Sequence, residues 1–263
     1  MDYLALISSI FYILAVVIAS NQLLASKEIL TSRFLASISI ALITHCIWLY
    51  EQIFIQHGQD LQILNVVSAI TFIMALLSTI ITKRLNTGAL LPIVYGFTVV
   101  NFLAVNYLPS HYISHLESHP QIGTHIILAL LAYSILTIAS LLALQLAYLD
   151  YRLKNHKLLL TSIKMPPIMT LEKTLFQFIF IGFIFLSFTL LTGFIFLEDM
   201  FAQGKAHKTI LSIIAWIIYT IILWGHYKHG WRGRLMVYIT IIGSSLLTLA
   251  YFGSRFVREI ILN

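Results

Sequence analysis

Ten histidines in a chain of 263 residues are the side chains with the most chemistry to offer, because imidazole can ligate a metal or haem iron and can carry a proton near neutral pH. Three of them, His45, His125 and His226, lie inside or at the ends of long apolar runs. Ionisable groups at such depth are costly in a membrane and usually face the interior of a helix bundle. These three histidines are therefore the candidate cofactor ligands.

Each candidate also has a plainer interpretation. His45 shares a helix face with Trp48 and Gln52, and a neutral histidine there can simply hydrogen-bond to a neighbouring helix. His125 stands at the start of an apolar run, where it suits either a ligand near the outer face or an interfacial histidine. His226 shares its face with Trp216 and Tyr219, and such aromatics are typical of an interfacial belt as well as of a cofactor wall.

The remaining histidines give weaker signals. His111, His115 and His119 recur at a spacing of four, so a helix would align them for metal capture. Pro109 and Pro120 flank this segment, which favours a solvated loop instead. The other histidines are predicted to be loop or interfacial residues without an evident partner: His57, His156, His207 and His229.

No set of residues predicts a catalytic centre. The sequence has no nucleophile paired with a base, no phosphate-binding glycine loop, no H-E-x-x-H motif and no paired intramembrane carboxylates, so a hydrolase or ATPase is not expected. The only cysteine, Cys46, lies in an apolar run, which excludes an intrachain disulfide, a cysteine-based zinc site and a C-x-x-C-H haem attachment.

The elements that must position these histidines are transmembrane helices. The chain is 59% hydrophobic and only 10% charged, with a mean hydropathy of +0.92. A soluble domain carries about a quarter of its residues as charge. The formal charge of +6 sits in short segments that flank apolar runs, which argues against nucleic-acid binding. We therefore predict a single integral membrane domain over residues 1–263.

Eight segments are long enough to cross a bilayer core, which needs about 20 apolar residues per helix. Their continuous apolar character predicts an all-α polytopic helix bundle rather than a barrel. The predicted spans are residues 3–24, 33–56, 62–82, 88–108, 121–149, 173–198, 208–228 and 234–260.

Basic residues predict the orientation. Of the 16 lysines and arginines, all but Lys205, Lys208, Arg255 and Arg258 lie in one alternate set of connections, and lysine and arginine are retained on the cytoplasmic side. Both termini are therefore predicted to face outward, and residues 150–172 form the longest cytoplasmic connection. The basic, aromatic turn at residues 230–234 is typical of an anchor for anionic headgroups, and it also suits a carboxylate or phosphate ligand.

Several segments together resemble the bacterial CcsA/CcmC/ResC cytochrome c assembly family, in a divergent branch. The resemblance covers most of the chain, and for the broader family it is strongest over residues 88–263. The segments that carry it are residues 91–96 (LPIVYG), 125–129 (HIILA) with Tyr133, 144–151 (LQLAYLDY), 224–227 (WGHY), 230–234 (GWRGR) and 249–253 (LAYFG).

The resemblance implies an inner-membrane protein that handles haem. In that family, histidines hold haem and a tryptophan-rich WWD segment presents it for attachment to apocytochrome c. His125 matches the first external histidine, whereas residues 201–208 contain neither tryptophan nor aspartate where the WWD segment should stand. His226 lies two positions from the place of the family's transmembrane histidine. The resemblance thus implies haem b bound through His45, His125 or His226, without full cytochrome c synthase activity.

Three functional hypotheses follow. The first is a haem-binding accessory of cytochrome c assembly, whose partners are membrane lipid, haem and a biogenesis or other membrane protein. The second is a transport or regulatory subunit for a small cation or polar solute, because polar groups at depth are often functional. Its candidate residues are His45, Glu51, Asn65 and Asn101. The third is a structural partner of another membrane complex.

Overall fold

The computed structural model describes residues 3–25, 27–55, 58–85, 88–107, 112–116, 120–154, 167–196 and 206–253. Within these ranges, eight helices are long and apolar enough to cross a membrane, which confirms the predicted all-α class. They are α1 (Tyr3–Leu24), α2 (Ser32–Ile53), α3 (Ile63–Leu85), α4 (Leu91–Tyr107), α5 (Pro120–Lys154), α6 (Ile168–Phe196), α7 (Ala206–His229) and α8 (Arg234–Thr248). A 3-10 turn at Gly88–Leu90 precedes α4, and a π turn at Leu249–Gly253 extends α8.

Two helices extend into the predicted connection at residues 150–172. α5 continues to Lys154 and α6 begins at Ile168. The 35 residues of α5 span about 52 Å, more than the roughly 30 Å of a bilayer core, so its charged last turn can project beyond the apolar layer. Pro167 immediately precedes α6, where proline's missing N–H costs no helical hydrogen bond.

The chain divides into two compact units. The N-terminal unit comprises residues 1–115 and 152–167, and the C-terminal unit comprises residues 116–151 and 168–263. In the N-terminal unit, α1 packs against α2 and α4, and α3 packs against α2 and α4. In the C-terminal unit, α7 packs against α6 and α8. The interpretation of residues 1–263 as one domain stays a prediction.

Small side chains let the first helix approach its neighbours closely. Ala5, Ala15 and Ala19 of α1 are almost fully buried. Ser8 is buried with them and donates its hydroxyl hydrogen to Thr44 Oγ1 of α2 at 2.7 Å. Small residues and interhelical hydrogen bonds are the usual means by which membrane helices associate, because burial from lipid gives little hydrophobic gain. The interior of this unit is therefore closely packed at α1.

A small antiparallel sheet joins two connections at one end of the N-terminal unit. β1 (Phe54–Ile55) pairs with β2 (Gly58–Asp60), and β2 pairs with β3 (Ile113–Ser114). Gly58 has φ 128°, and a Cβ atom there would lie 2.8 Å from the main-chain oxygen of Ser114, so glycine is required. The sequence pattern predicted residues 54–55 as the end of the second helical span (33–56) and the other two strands as connections. The end of that span was wrong, because α2 ends at Ile53 and the next two residues pair with β2.

Asp60 fixes this sheet to the adjoining chain. It is buried, and its Oδ1 accepts hydrogen bonds from the main-chain N–H of Gln62 at 3.1 Å and of Tyr112 at 3.0 Å. The N–H of Leu61 donates to the carbonyl of Tyr112 at 2.9 Å. The α2–α3 connection and residues 112–114 are thereby held together.

The sheet should depend on the Asp60 carboxylate. We expect Asp60→Ala to speed amide hydrogen exchange at Gln62 and Tyr112, since each buried N–H left without an acceptor costs about 1–3 kcal/mol. Hydrogen exchange with mass spectrometry on the detergent-solubilised protein measures this change. Asp60→Asn keeps an oxygen acceptor and should exchange more slowly than Asp60→Ala. Equal protection in wild type and Asp60→Ala would contradict this account of the sheet.

Gly182 provides the corresponding close approach in the C-terminal unit. A Cβ atom on this α6 residue would lie 2.6 Å from Cγ and Cδ2 of Leu136 on α5. We expect Gly182→Val to destabilise the protein by about 1–3 kcal/mol through overpacking, visible as a lower thermal unfolding midpoint in detergent. Gly123→Val is the matched control, because a Cβ there meets nothing within 4 Å. Equal midpoints for the two variants would show that α5 and α6 do not pack this tightly.

Candidate functional site

His45 lies in the interior of the N-terminal unit with both ring nitrogens hydrogen-bonded. Its side chain is fully buried, Nδ1 lies 3.1 Å from the Tyr12 hydroxyl of α1, and Nε2 lies 2.9 Å from the Ser68 hydroxyl of α3. Hydroxyl groups can donate or accept, so either neutral tautomer satisfies both bonds. Three helices thus share one histidine.

Aromatic rings close around His45. The ring centroid of Phe102 lies 4.7 Å away, that of Phe72 5.2 Å and that of Trp48 6.3 Å. A haem iron would have to displace Tyr12 or Ser68 before it could bind either nitrogen. In this arrangement His45 corresponds to the neutral histidine that hydrogen-bonds to neighbouring helices, and it does not fit an axial ligand without rearrangement.

His226 has the opposite character, because one of its nitrogens is fixed and the other is available. It lies in the last turn of α7, and its Nδ1 is 3.2 Å from the main-chain oxygen of Trp231. A carbonyl can only accept, so Nδ1 carries the hydrogen and the neutral ring presents the lone pair of Nε2. Among the described residues, Nε2 has no hydrogen-bond partner. A ligating histidine commonly donates its other N–H to a carbonyl in this way.

The local sequence explains why the Trp231 carbonyl reaches His226. Gly230 ends α7 in the left-handed conformation, with φ 64°, and its N–H donates to the His226 carbonyl at 3.1 Å. The chain then turns back, and the N–H of Trp231 donates to the carbonyl of Gly225 at 3.1 Å. The Trp231 indole lies where a Cβ atom on Gly225 would be, so only glycine leaves room for it.

Phe176 of α6 fixes the plane of the His226 ring. The two rings stack with centroids 3.4 Å apart and an interplanar angle of 16°. A ring held by a stacking neighbour and by one hydrogen bond has little rotational freedom left. The His226 ring therefore has a fixed orientation on the C-terminal unit, as a ligand would need.

Two polar contacts hold the turn that follows α7. The N–H of Gly233 donates to Glu172 Oε1 of α6 at 3.3 Å, and Arg234 Nε donates to Asp150 Oδ2 of α5 at 3.0 Å. The arginine side chain is 60% exposed, so this ion pair contributes little to stability. It nevertheless directs one of the basic groups at residues 230–234 toward a carboxylate of the same unit.

His125 lies near the start of α5 and is half-buried. Its Nδ1 is 3.2 Å from Thr192 Oγ1 of α6. Thr192 donates its own hydroxyl hydrogen within α6, to the carbonyl of Phe188 at 2.8 Å, so its oxygen can accept from the imidazole. His125 is thus oriented by the last turns of α6.

The contacts with α6 show how far apart His226 and His125 lie. His226 contacts Phe176 and His125 contacts Thr192, which lie 16 residues apart and therefore about 24 Å apart along the helix. Both axial ligands of a haem bind the same iron, so these two histidines cannot share one haem in this structure. His45 belongs to the other unit.

The remaining histidines form no described cluster. His229 is exposed and packs edge-on against Trp224, with ring centroids 4.6 Å apart. In the parts of the chain that the structure describes, no three His, Cys, Asp or Glu side chains come together as a metal site. Of the three histidines predicted to align, His111, His115 and His119, only His115 lies within the described residues. His57, His111, His119 and His156 lie outside them.

Sequence reasoning missed the partners that orient the three histidines. Ser68, Phe176 and Thr192 lie on other helices than the histidines they contact. Periodicity identifies neighbours on one helix, and it carries no information about which residue of another helix lies opposite. Only the Gly230-Trp231 turn gave a local signal, because a glycine after a helix is typical of a left-handed cap.

Comparison with known proteins gives the family. The family model described as Cytochrome C assembly protein matches residues 32–262. Inner membrane protein YpjD of Escherichia coli K12 is 40% identical over 263 residues, which are 99% of this chain and 100% of that protein. YpjD of Escherichia coli O157:H7 gives the same values. A 28.8 kDa protein from the nifR3-like 5′ region of Azospirillum brasilense is 28% identical over 143 residues, covering 54% of this chain and 53% of its own.

No solved structure matches the chain. The family match covers most of the sequence, and the full-length identity to YpjD agrees with the branch that the sequence motifs indicated. The predicted family is thereby confirmed. This chain, with eight helices suited to a membrane, belongs to the cytochrome c assembly family.

Proposed function

We propose that this protein is a multi-pass inner-membrane protein that binds and handles a b-type haem in cytochrome c assembly. The observation that carries the proposal is the geometry of His226, whose Nδ1–H is held by the Trp231 carbonyl while Nε2 is available. Membership of the family supports a haem-related role. The name of the full-length relative, an inner membrane protein, supports the location.

Haem, when bound, would supply an iron centre that accepts axial nitrogen ligands. The part of His226 is to present Nε2, and the stacked ring of Phe176 limits rotation of the imidazole. The hydrogen bond to the Trp231 carbonyl keeps the ligating tautomer. These groups together would let His226 hold a haem iron.

His125 is proposed as the ligand of a second haem position at the other end of the C-terminal unit. The residues of α6 that contact His125 and His226 lie about 24 Å apart along the helix. The two histidines therefore act on separate haems, or on one haem at different times. His45 as a haem ligand stays a prediction, because both of its nitrogens are already hydrogen-bonded.

Haem attachment to apocytochrome c is not part of the proposal. Residues 201–208 carry neither the tryptophans nor the aspartate of a WWD segment, and residues 201–205 lie outside the described residues. A handling or accessory role needs only haem binding, lipid and a partner in cytochrome c assembly. This is the role that the available donor groups support best.

An optical spectrum tests haem binding directly. We expect detergent-purified protein from haem-replete cells to contain near-stoichiometric b-type haem, quantified as the pyridine haemochrome after dithionite reduction. His226→Ala should lose haem because it removes the preorganised nitrogen, and His125→Ala should lose the fraction bound at the other position. His229→Ala is the matched control, since this histidine is exposed at the same helix end.

Two results would contradict the haem proposal. The first is haem-free wild-type protein from haem-replete cells. The second is equal haem content in wild type, His226→Ala and His125→Ala when thermal unfolding shows that the variants are folded. Haem lost only in His45→Ala would move the ligand to the N-terminal unit and would require the Tyr12 or Ser68 bond to exchange.

The proposed orientation, with both termini outside, is tested by cysteine labelling. In a Cys46→Ser background, Tyr112→Cys should react with a membrane-impermeant maleimide added to spheroplasts, whereas Lys27→Cys should react only after the membrane is opened. Both positions are exposed, and they belong to connections on opposite predicted sides. The reverse labelling pattern would invert the topology.

A further inference from the structure

Buried polar side chains follow one face of α3 through the N-terminal unit. They recur at helical spacing, and each is at most 3% exposed: Asn65, Ser68, Thr71, Ser78 and Thr82. From Asn65 to Thr82 the helix rises about 26 Å, close to the roughly 30 Å of a bilayer core. We call this set, with the residues of α4 described next, the polar ladder.

Polar residues of α4 lie level with the longest gap among the α3 residues of the polar ladder, between Thr71 and Ser78. The hydroxyls of Tyr95 and Thr79 lie 2.6 Å apart, which sets the register of α4 against α3. Consecutive membrane helices joined by a short connection run antiparallel, so residues beyond Tyr95 lie level with residues before Thr79. Thr98 and Asn101, both buried, therefore lie level with the interval between Ser78 and Thr71.

Three polar atoms of the polar ladder have no hydrogen-bond partner among the described residues. They are Asn65 Oδ1, Ser78 Oγ and Asn101 Nδ2, on side chains that are 0%, 2% and 4% exposed. An unsatisfied buried polar group costs about 1–3 kcal/mol and more in an apolar medium. Buried groups of this kind are commonly satisfied by internal water. If these three positions served only helix packing, alanine, valine or leucine would fill them equally well.

A polar region lies level with each end of the polar ladder. At the Thr82 end, where α1 ends and α2 begins, a cavity of about 480 Å³ is lined by Ile18, Asn21, Gln22, Thr31, Ser32 and Arg33. At the other end, Asn65 Nδ2 donates to the carbonyl of Asp60 at 3.1 Å, next to the small sheet. The ladder thus runs between the levels of these two polar regions of the same unit.

We propose that the polar ladder of the N-terminal unit is a proton path, in which bound water bridges the unpartnered atoms and His45 passes the proton. This goes beyond haem handling and uses a different unit of the chain. Protons fit better than metal cations, because the ladder offers hydroxyl and amide groups without a carboxylate in its transmembrane part. Glu51, which the sequence suggested for such a path, is exposed on α2.

His45 has the contacts that a relay needs. Ser68 passes its hydroxyl hydrogen to Nε2 and takes a proton from bound water, while Nδ1 gives its hydrogen to the Tyr12 oxygen and the Tyr12 hydroxyl hydrogen passes on to bound water. The ring is neutral before and after the transfer and ends as the other tautomer. The side chains that contact it from α1, α3 and α4 are Tyr12, Ser68, Phe72 and Phe102. None of these carries a charge that would hold the proton in place.

Proton flux into vesicles tests the path. We expect the full-length protein in liposomes with internal pyranine to acidify or alkalinise the lumen faster than protein-free vesicles when a valinomycin-clamped potassium gradient drives protons. Asn101→Leu and Ser78→Ala should lose this flux, because each removes a water-binding atom. His45→Gln should also lose it, since an amide can replace both hydrogen bonds and cannot relay a proton.

Controls separate the proton path from packing and from haem binding. Ser37→Ala is matched to Ser78→Ala, because Ser37 is equally buried and donates to the carbonyl of Arg33 within its own helix; its flux should equal that of wild type. His226→Ala should keep the flux, so loss of haem and loss of proton flux are distinguishable. Asn101→Leu should have a thermal unfolding midpoint no lower than that of wild type, because the substitution removes an unsatisfied hydrogen-bond donor.

The proposal is overturned if wild-type vesicles conduct no better than protein-free vesicles. It is also overturned if Asn101→Leu and Ser78→Ala both conduct like wild type. In either case the polar ladder serves helix packing. Loss of flux in Asn101→Leu and Ser78→Ala with unchanged melting and unchanged haem content supports a proton path in the N-terminal unit.

Discussion

The structure depends on one constraint: an apolar bilayer offers no hydrogen-bond partner, so polar groups inside it must be satisfied by the protein. Many of the buried hydroxyls in the described part of the chain meet this requirement within their own helix by donating to the carbonyl four residues earlier. Examples are Ser9 to Ala5, Thr98 to Val94, Thr174 to Thr170 and Thr240 to Met236. Side chains satisfied in this way carry little functional information.

The side chains that indicate function are those that take a hydrogen-bond partner outside their own helix. His45 takes partners from two other helices, and His226 takes a main-chain partner from the turn that follows its own helix. The first arrangement occupies both nitrogens, whereas in the second Nε2 has no hydrogen-bond partner among the described residues. Because hydrogen bonding determines which lone pair a neutral imidazole presents, we propose different chemistry for the two histidines, proton transfer at His45 and iron ligation at His226.

The same reasoning links local backbone geometry to the proposed haem site. Gly225 admits the Trp231 indole, Gly230 turns the chain, and the Trp231 carbonyl then reaches His226. The motifs at residues 224–227 and 230–234 carry part of the family resemblance. In the structure they together form the helix end and turn that position the His226 ring. Their aromatic and basic residues also suit an interfacial anchor, and the two interpretations are compatible because the apolar run of α7 ends here in basic residues.

The sequence by itself determined the helical membrane class, the eight spans and the family, because long apolar runs and local motifs are properties of consecutive residues. It also singled out His45, His125 and His226 by their depth. Only the tertiary structure decided their surroundings: the hydroxyls at His45, the carbonyl and Phe176 at His226, and Thr192 at His125. It likewise revealed the polar ladder and the small sheet held by Asp60. These features join residues far apart in the chain, and helical periodicity specifies which face a residue occupies without specifying what lies opposite it.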